Sequence, residues 1–148
     1  MPELTKLHCS SNQLTTLDLT SLSRLTEFSC AYNQLITLRF GHIPGLTEIY
    51  CQHNQLTELD LTPVQGLTKL ECQSNQLATL TLGPMPGLTE IDFSNNQLTT
   101  LDLTLVPGLT RLYCNNNQLT ILDLALVPGL MDLECDMSMR LLNIPENL

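Results

Sequence analysis

The 148 residues contain no tryptophan, and only three tyrosines and three phenylalanines. Large rings therefore cannot fill the interior, and branched aliphatic side chains must do so. Basic residues are also scarce. Six Lys and Arg stand against fifteen Asp and Glu, for a net charge of -9. A nucleic-acid backbone needs a basic surface, so nucleic acid is excluded as a partner class. No uninterrupted apolar run reaches the ~18 residues of a membrane span. The opening MPELTKLHCS lacks the basic and apolar regions of a secretory signal. No glycine-rich phosphate loop occurs. What is present is 43% hydrophobic residues, too many for a disordered chain even at this charge.

Those residues are periodic. Leu4, Leu25, Leu46, Leu67, Leu88, Leu109 and Leu130 follow one another at steps of 21. The unit is L-T-x-L-x-C-x-x-N-Q-L-T-x-L-D-L-T-x-V-P-G. Six regular repeats span 4–129 and a degenerate seventh spans 130–148. Self-similarity at this period predicts a solenoid, in which each coil buries its apolar face only by stacking on its neighbours. Alternation in Lys6-Leu7-His8-Cys9 predicts a strand with one face in and one out. Recurring once per coil, these strands run parallel, ~4.8 Å apart. Thr16-Leu17-Asp18-Leu19 alternates too, so the far side of each coil is extended or a short second strand. No 3.6-residue apolar stripe is long enough for an ordinary helix. Pro-Gly before a new unit, as at Pro44-Gly45 and Pro128-Gly129, marks the turn back into the sheet.

The segments LTKLHCSSNQL (Leu4–Leu14) and LTRLYCNNNQL (Leu109–Leu119) resemble the leucine-rich repeat pattern L-x-x-L-x-L-x-x-N-x-L, with Cys in the third apolar slot. The period, the Cys and the N-Q-L-T-x-L-D-L run resemble bacterial leucine-rich repeat proteins in the neighbourhood of internalins. The resemblance covers nearly the whole chain. It implies one leucine-rich repeat domain over 1–148, a right-handed, curved solenoid with its parallel β-sheet on the concave side. The phrase Ile144-Pro145-Glu146-Asn147-Leu148 resembles the shorter repeats of enterobacterial secreted effectors.

Two inward columns have structural readings. Asn12, Asn33, Asn54, Asn75, Asn96 and Asn117 stand where each strand ends. An amide offers donors and an acceptor, so stacked Asn side chains can serve backbone groups that a buried turn leaves unpaired. Cys9, Cys30, Cys51, Cys72, Cys114 and Cys135 share another column, with Phe93 in the missing slot. Parallel side chains ~5 Å apart do not suit a disulfide, and a straight ladder does not converge as a zinc site must. They read as buried free thiols acting as small hydrophobes. Reduced thiols point to a reducing, cytoplasmic location; a secreted effector is the alternative.

Positions two, four, six and seven residues after each first Leu are expected to face the concave surface or its rim. They vary where the inward positions do not. Eight of the fifteen acids, three of the six bases and all three tyrosines lie on these columns. Tyrosine is favoured at binding hot spots. The expected partner-binding patch is Tyr50, Glu71, Asp92 and Tyr113, flanked by Tyr32, His53, Lys69, Glu90 and Arg111. An acidic, tyrosine-bearing face suits a basic protein or peptide. The contrary reading makes these solvated positions, with Glu90 merely offsetting Lys69 and Arg111 along the ladder. Glu71 and Asp92 resemble the carboxylate pair of a retaining glycosidase only superficially, because an open sheet has no cleft to place them on opposite sides of a sugar. No catalytic residue, cofactor or metal is expected; Asp132, Glu134 and Asp136 offer at most a weak cation site, because alternate facing makes their convergence poor. The function expected is a non-catalytic protein-interaction module. The alternatives are an uncapped repeat fragment of a larger protein and a surface-adhesion or carbohydrate binder. Self-association through uncapped ends is a further expectation.

Overall fold

The computed structural model describes residues 3–148. Their strands, in chain order, are β1 (Lys6–His8), β2 (Thr16–Leu19), β3 (Glu27–Ser29), β4 (Thr37–Phe40), β5 (Glu48–Tyr50), β6 (Glu58–Asp60), β7 (Lys69–Glu71), β8 (Thr79–Thr81), β9 (Glu90–Asp92), β10 (Arg111–Tyr113), β11 (Ile121–Asp123), β12 (Asp132–Glu134) and β13 (Arg140–Leu142). No helix occurs among the described residues. One seven-stranded parallel sheet runs β1-β3-β5-β7-β9-β10-β12. Its register is the sequence period itself: Lys69 pairs with Glu90, and Glu90 with Arg111.

The opposite side is less regular. Its strands pair only two by two, as β2-β4, β6-β8 and β11-β13, and residues 100–102 of the fifth coil form no strand. Curvature explains the difference. Rungs held at ladder spacing on the concave side must spread on the longer convex side, so its ladder breaks. Gly41 and Gly83 permit two of the three pairings. A Cβ at Gly41 would lie 2.4 Å from the Thr20 carbonyl oxygen, and one at Gly83 3.0 Å from Thr62 Cα. Only glycine lets β4 sit against β2, and β8 against β6, this closely.

The core is a stack of columns. Leu25, Leu46, Leu67, Leu88, Leu109 and Leu130 are fully buried, as are Ile43, Val64, Met85, Val106 and Val127. Phe28 and Phe40 meet edge to face, centroids 5.8 Å apart. Cys30, Cys51, Cys72 and Cys114 are buried and Cys9 and Cys135 half-buried; all six are free. Burial holds the inner thiols far above their ordinary pKa, with Cys114 pushed up to about 12. In the first coil Leu4, Leu7, Leu14, Leu17 and Leu22 are only half-buried, while Leu19 is fully buried.

The asparagine column does what its chemistry predicts. Asn54 Nδ2 donates to the carbonyls of Cys30 and Cys51, both at 3.1 Å, and its Oδ1 accepts from Leu35 N at 3.0 Å. Asn33, Asn75, Asn96 and Asn117 repeat the pattern. Threonines form a second ladder that the repeat pattern does not announce. The hydroxyls of Thr26, Thr68, Thr89 and Thr110 each donate to the carbonyl of the threonine 21 residues earlier.

One expectation is corrected. The column six residues after the first Leu faces out only in part: Ala31 and Ser94 are buried, whereas Ser10, Gln52, Gln73, Asn115 and Asp136 are half-buried. The next residue in each coil (Ser11, Tyr32, His53, Ser74, Asn95 and Asn116) takes a left-handed φ of 55–58°. That reversal tucks the preceding side chain under the strand end. It leaves the Oε1 atoms of Gln52 and Gln73 buried without a hydrogen-bond partner.

The seventh coil has Ser138 where Asn is expected. Here the Asp136 carboxylate accepts from Asn116 N at 2.9 Å and Asn117 N at 3.3 Å, N–H groups whose equivalents Asn95 N and Asn96 N go to backbone carbonyls. Beyond it Met139 is buried and β13 pairs with β11.

Candidate functional site

The concave sheet presents two columns of side chains to solvent, one residue on each side of the buried centre of every strand. The first contains Glu48, Lys69, Glu90, Arg111 and Asp132; the second contains Tyr50, Glu71, Asp92, Tyr113 and Glu134. Parallel, in-register stacking brings residues 21 apart in sequence within reach of one another.

The centre of the face is a charge network. Lys69 Nζ lies 2.8 Å from Glu71 and 3.1 Å from Glu90. Arg111 lies 3.1 Å from the other oxygen of Glu90. Lys69 also stands over the Tyr50 ring, 5.6 Å from its centroid, in cation–π geometry. Gln52 Nε2 donates to Glu71 at 3.2 Å. The side chains of Lys69, Glu71 and Glu90 are only 28%, 21% and 17% exposed, so this network is less screened than an ordinary surface pair. Its hydrogen bonds to Glu71 and Glu90 hold the Lys69 ammonium charged well above the usual lysine range, against the opposing effect of burial.

Two tyrosine hydroxyls are also spoken for. Tyr50 Oη donates to Glu48 at 2.6 Å and Tyr113 Oη to Asp132 at 2.7 Å. The hydrogen bond to Glu48, then burial, pushes the Tyr50 phenol up to about 12. The Asp132 bond raises Tyr113 in the same direction. Towards the first coil, Lys6 pairs with Glu27 at 2.6 Å, and His8 Nε2 lies 3.3 Å from the same carboxylate. A hollow of about 320 Å3 lies there, lined by His8, Glu27, Phe28, Glu48 and Tyr50 among others.

The structure thus gathers five of the expected residues, Tyr50, Lys69, Glu71, Glu90 and Arg111, into one contact network. Tyr113 lies on the same strand as Arg111 and is held by Asp132 instead. Tyr32 and His53 lie apart on the rim and stack on each other, 4.4 Å between centroids. Asp92 is drawn downward, accepting from Ser94 N at 2.9 Å and Ser94 Oγ at 2.6 Å. Glu71 and Asp92 are therefore neighbours in register that point into different partners. Glu48, Gln52 and Asp132 belong to the site although the expected patch omitted them. Their column positions flag them, but only side-chain geometry shows which carboxylate a tyrosine reaches. Among the described residues no three His, Cys, Asp or Glu side chains are placed to hold a metal ion; Asp136 is turned to Asn116 and Asn117 instead. No helix of the described residues is long and apolar enough to cross a membrane.

Comparison with known proteins agrees with this geometry. The Leucine Rich Repeat family matches residues 3–25 and 87–109. The functional domain of InlJ from Listeria monocytogenes, which includes a cysteine ladder, is 33% identical, with TM-score 0.83 over 93% of this chain and 31% of that one. YopM from Yersinia enterocolitica is 30% identical, with TM-score 0.84 over 99% of this chain and 32% of that one. A leucine-rich repeat protein of Leptospira interrogans is 26% identical, with TM-score 0.77 over 92% of this chain and 38% of that one. The chain spans about a third of the length of these structures. No curated protein matches it. The 21-residue unit, the asparagine and cysteine columns and the seven-rung parallel sheet lead to one conclusion: the chain is a leucine-rich repeat protein with internalin-like bacterial neighbours.

Proposed function

We propose that the chain is a non-catalytic interaction module that captures a basic protein or peptide on its concave face. Leucine-rich repeat proteins are typically interaction scaffolds rather than enzymes. The observation that carries the finer reading is the Lys69 network. Carboxylates outnumber bases there, and Lys69, Arg111 and the tyrosine hydroxyls hold them in fixed positions. A surface already ordered loses little side-chain entropy on binding, which favours affinity. Excess negative charge favours a basic partner and speeds its approach. The recognition set is Tyr50, Lys69, Glu71, Glu90, Arg111 and Tyr113, with Asp92 beneath and the Tyr32–His53 stack at the rim.

An array of basic, neutral and acidic peptides tests this. The chain is expected to retain the basic set, with affinity falling as salt rises. Tyr50→Ala with Tyr113→Ala is expected to weaken retention while leaving the far-UV circular dichroism intact. Equal retention of acidic peptides, or undiminished capture by the double variant, overturns the proposal.

A further inference from the structure

The convex side carries a second concavity, unrelated to the concave network. Where β4 and β6 fail to pair, a groove of about 510 Å3 opens, within the ~300–1,000 Å3 usual for small-molecule sites. Its origin is local. Gly41 lets β4 close on β2 and Gly83 lets β8 close on β6, so the slack of the curved convex side collects between the two pairs.

The lining is chemically mixed and underused. Arg39 pairs in register with Asp18 of β2. Yet the Asp18 carboxylate is turned into its own loop, accepting from Thr20 N at 2.9 Å and Thr20 Oγ1 at 2.6 Å. Across the groove Asp60 does the same with Thr62 N at 2.9 Å and Oγ1 at 2.8 Å. Among the described residues no carboxylate comes within ion-pair distance of Arg39, unlike Lys6, Arg24, Lys69 and Arg111. Glu58 and the hydroxyls of Thr37, Thr79 and Thr81 line the same space. Ile36, 56% exposed, gives it one apolar flank.

The charges select the ligand. Arg39 shares the groove with Glu58 and Asp60 on a chain of net charge -9, so an anion is repelled overall. A cation would have to sit beside the unpaired guanidinium. A neutral ligand with many closely spaced hydroxyls meets neither penalty. Each hydroxyl can accept from the guanidinium or a threonine and donate to a carboxylate. The C–H face of a sugar ring can lie on Ile36. We infer that this convex groove binds a neutral oligosaccharide, with Arg39 and Glu58 as its principal hydrogen-bonding pair.

Saturation-transfer NMR and calorimetry with neutral hexasaccharides of glucose and of N-acetylglucosamine test the inference, with a heparin hexasaccharide and spermine as charged probes. Saturable binding of a neutral probe is expected. Glu58→Gln and Arg39→Ala should each weaken it by roughly tenfold or more, the loss typical of a hydrogen bond to a charged group. Both side chains are exposed, so the fold should be retained, and a thermal melt checks this. Tyr50→Ala with Tyr113→Ala should leave oligosaccharide binding unchanged, which separates this site from the concave face. No saturation up to ~10 mM, a Kd corresponding to only ~2.7 kcal/mol, overturns the inference. So does a preference for either charged probe, or unchanged binding in both groove variants.

Discussion

The phenol ring of Tyr32 lies flat on the imidazole of His53, with centroids 4.4 Å apart and planes 11° apart, while both residues hold a left-handed backbone. A left-handed φ costs an L-residue ~1–2 kcal/mol, and only Gly, Asn and Asp adopt it readily. The equivalent positions in other coils are Ser11, Ser74, Asn95 and Asn116. The stack returns part of that cost, ~0.5–1.5 kcal/mol. Tyr32→Asn combined with His53→Asn is therefore expected to stabilise the chain by ~1 kcal/mol in urea unfolding. The same change should reduce capture of basic peptides, because it removes the rim stack. A destabilised double variant would show that the rings contribute more to folding than the backbone strain takes away.

The asparagine ladder sets up a graded comparison. Asn54 serves two coils and is buried, whereas Asn12 is exposed and donates only within its own turn, to Cys9 O and Ser10 O. Asn54→Ala strands the buried Leu35 N–H and takes one of two amide donors from each of the Cys30 and Cys51 carbonyls, which keep Asn33 and Asn75, and should cost ~2–3 kcal/mol. Asn12→Ala should cost ~1 kcal/mol or less. Equal costs in denaturant unfolding would refute a ladder acting between coils.

Tyr50 provides a spectroscopic reading of the concave network. Its phenol, held by Glu48, should ionise at about 12 in an ultraviolet titration. Glu48→Gln should bring it back towards ~10, the free value. The folded pKa lies above the unfolded one. The stability linked to Tyr50 is therefore fully present below pH ~10 and is lost as pH rises through about 12. An unchanged titration in the variant would mean that Glu48 does not hold the hydroxyl.

The convex turns respond to acid. Hydrogen bonds from Thr20 and Thr104 hold the Asp18 and Asp102 carboxyls below their ordinary value. A depressed folded pKa contributes stability above the unfolded value, near ~3.9, and loses it as pH falls below that. Thr20→Val with Thr104→Val should flatten the acid limb of the stability curve below about pH 4 and leave neutral-pH cooperativity intact. Circular dichroism melts from acid to neutral pH check the slope.

The thiols should separate by position. Cys9 and Cys135 are half-buried at the two ends of the column, while Cys30, Cys51, Cys72 and Cys114 are enclosed. Burial raises the inner thiols, so thiolate is scarce there. Alkylation of the native chain near neutral pH should label Cys9 and Cys135 first. All six should react once the chain is unfolded in denaturant without reductant. Fewer than six would reveal a disulfide, and early labelling of Cys72 would reveal an open interior.

Much of this was readable from the 21-residue period. Leu4 to Leu130 fixed the coil, the alternation about Leu7 fixed the strand, and Asn33 to Asn117 announced the ladder. A strict repeat makes each position's environment a property of its column, so inward and outward classes separate within a single chain. The burial of Ala31 and Ser94 in the third outward column was not legible, because nothing in either residue signals that the next one turns left-handed. Asn95 and Asn116 hint at that turn; Tyr32 and His53 conceal it.

What the sequence determined alone, then, was everything that recurs: the period, the parallel register, the buried columns and the acidic excess. Those follow from local alternation and hydrophobic burial, which act on each coil identically. What the tertiary structure decided was everything that differs from coil to coil. It decided that Lys69 bridges Glu71 and Glu90 while Asp92 turns away to Ser94, and that the convex ladder opens between β4 and β6. Those outcomes depend on distances between residues about 20 positions apart, and such distances exist only once the coils are stacked and curved.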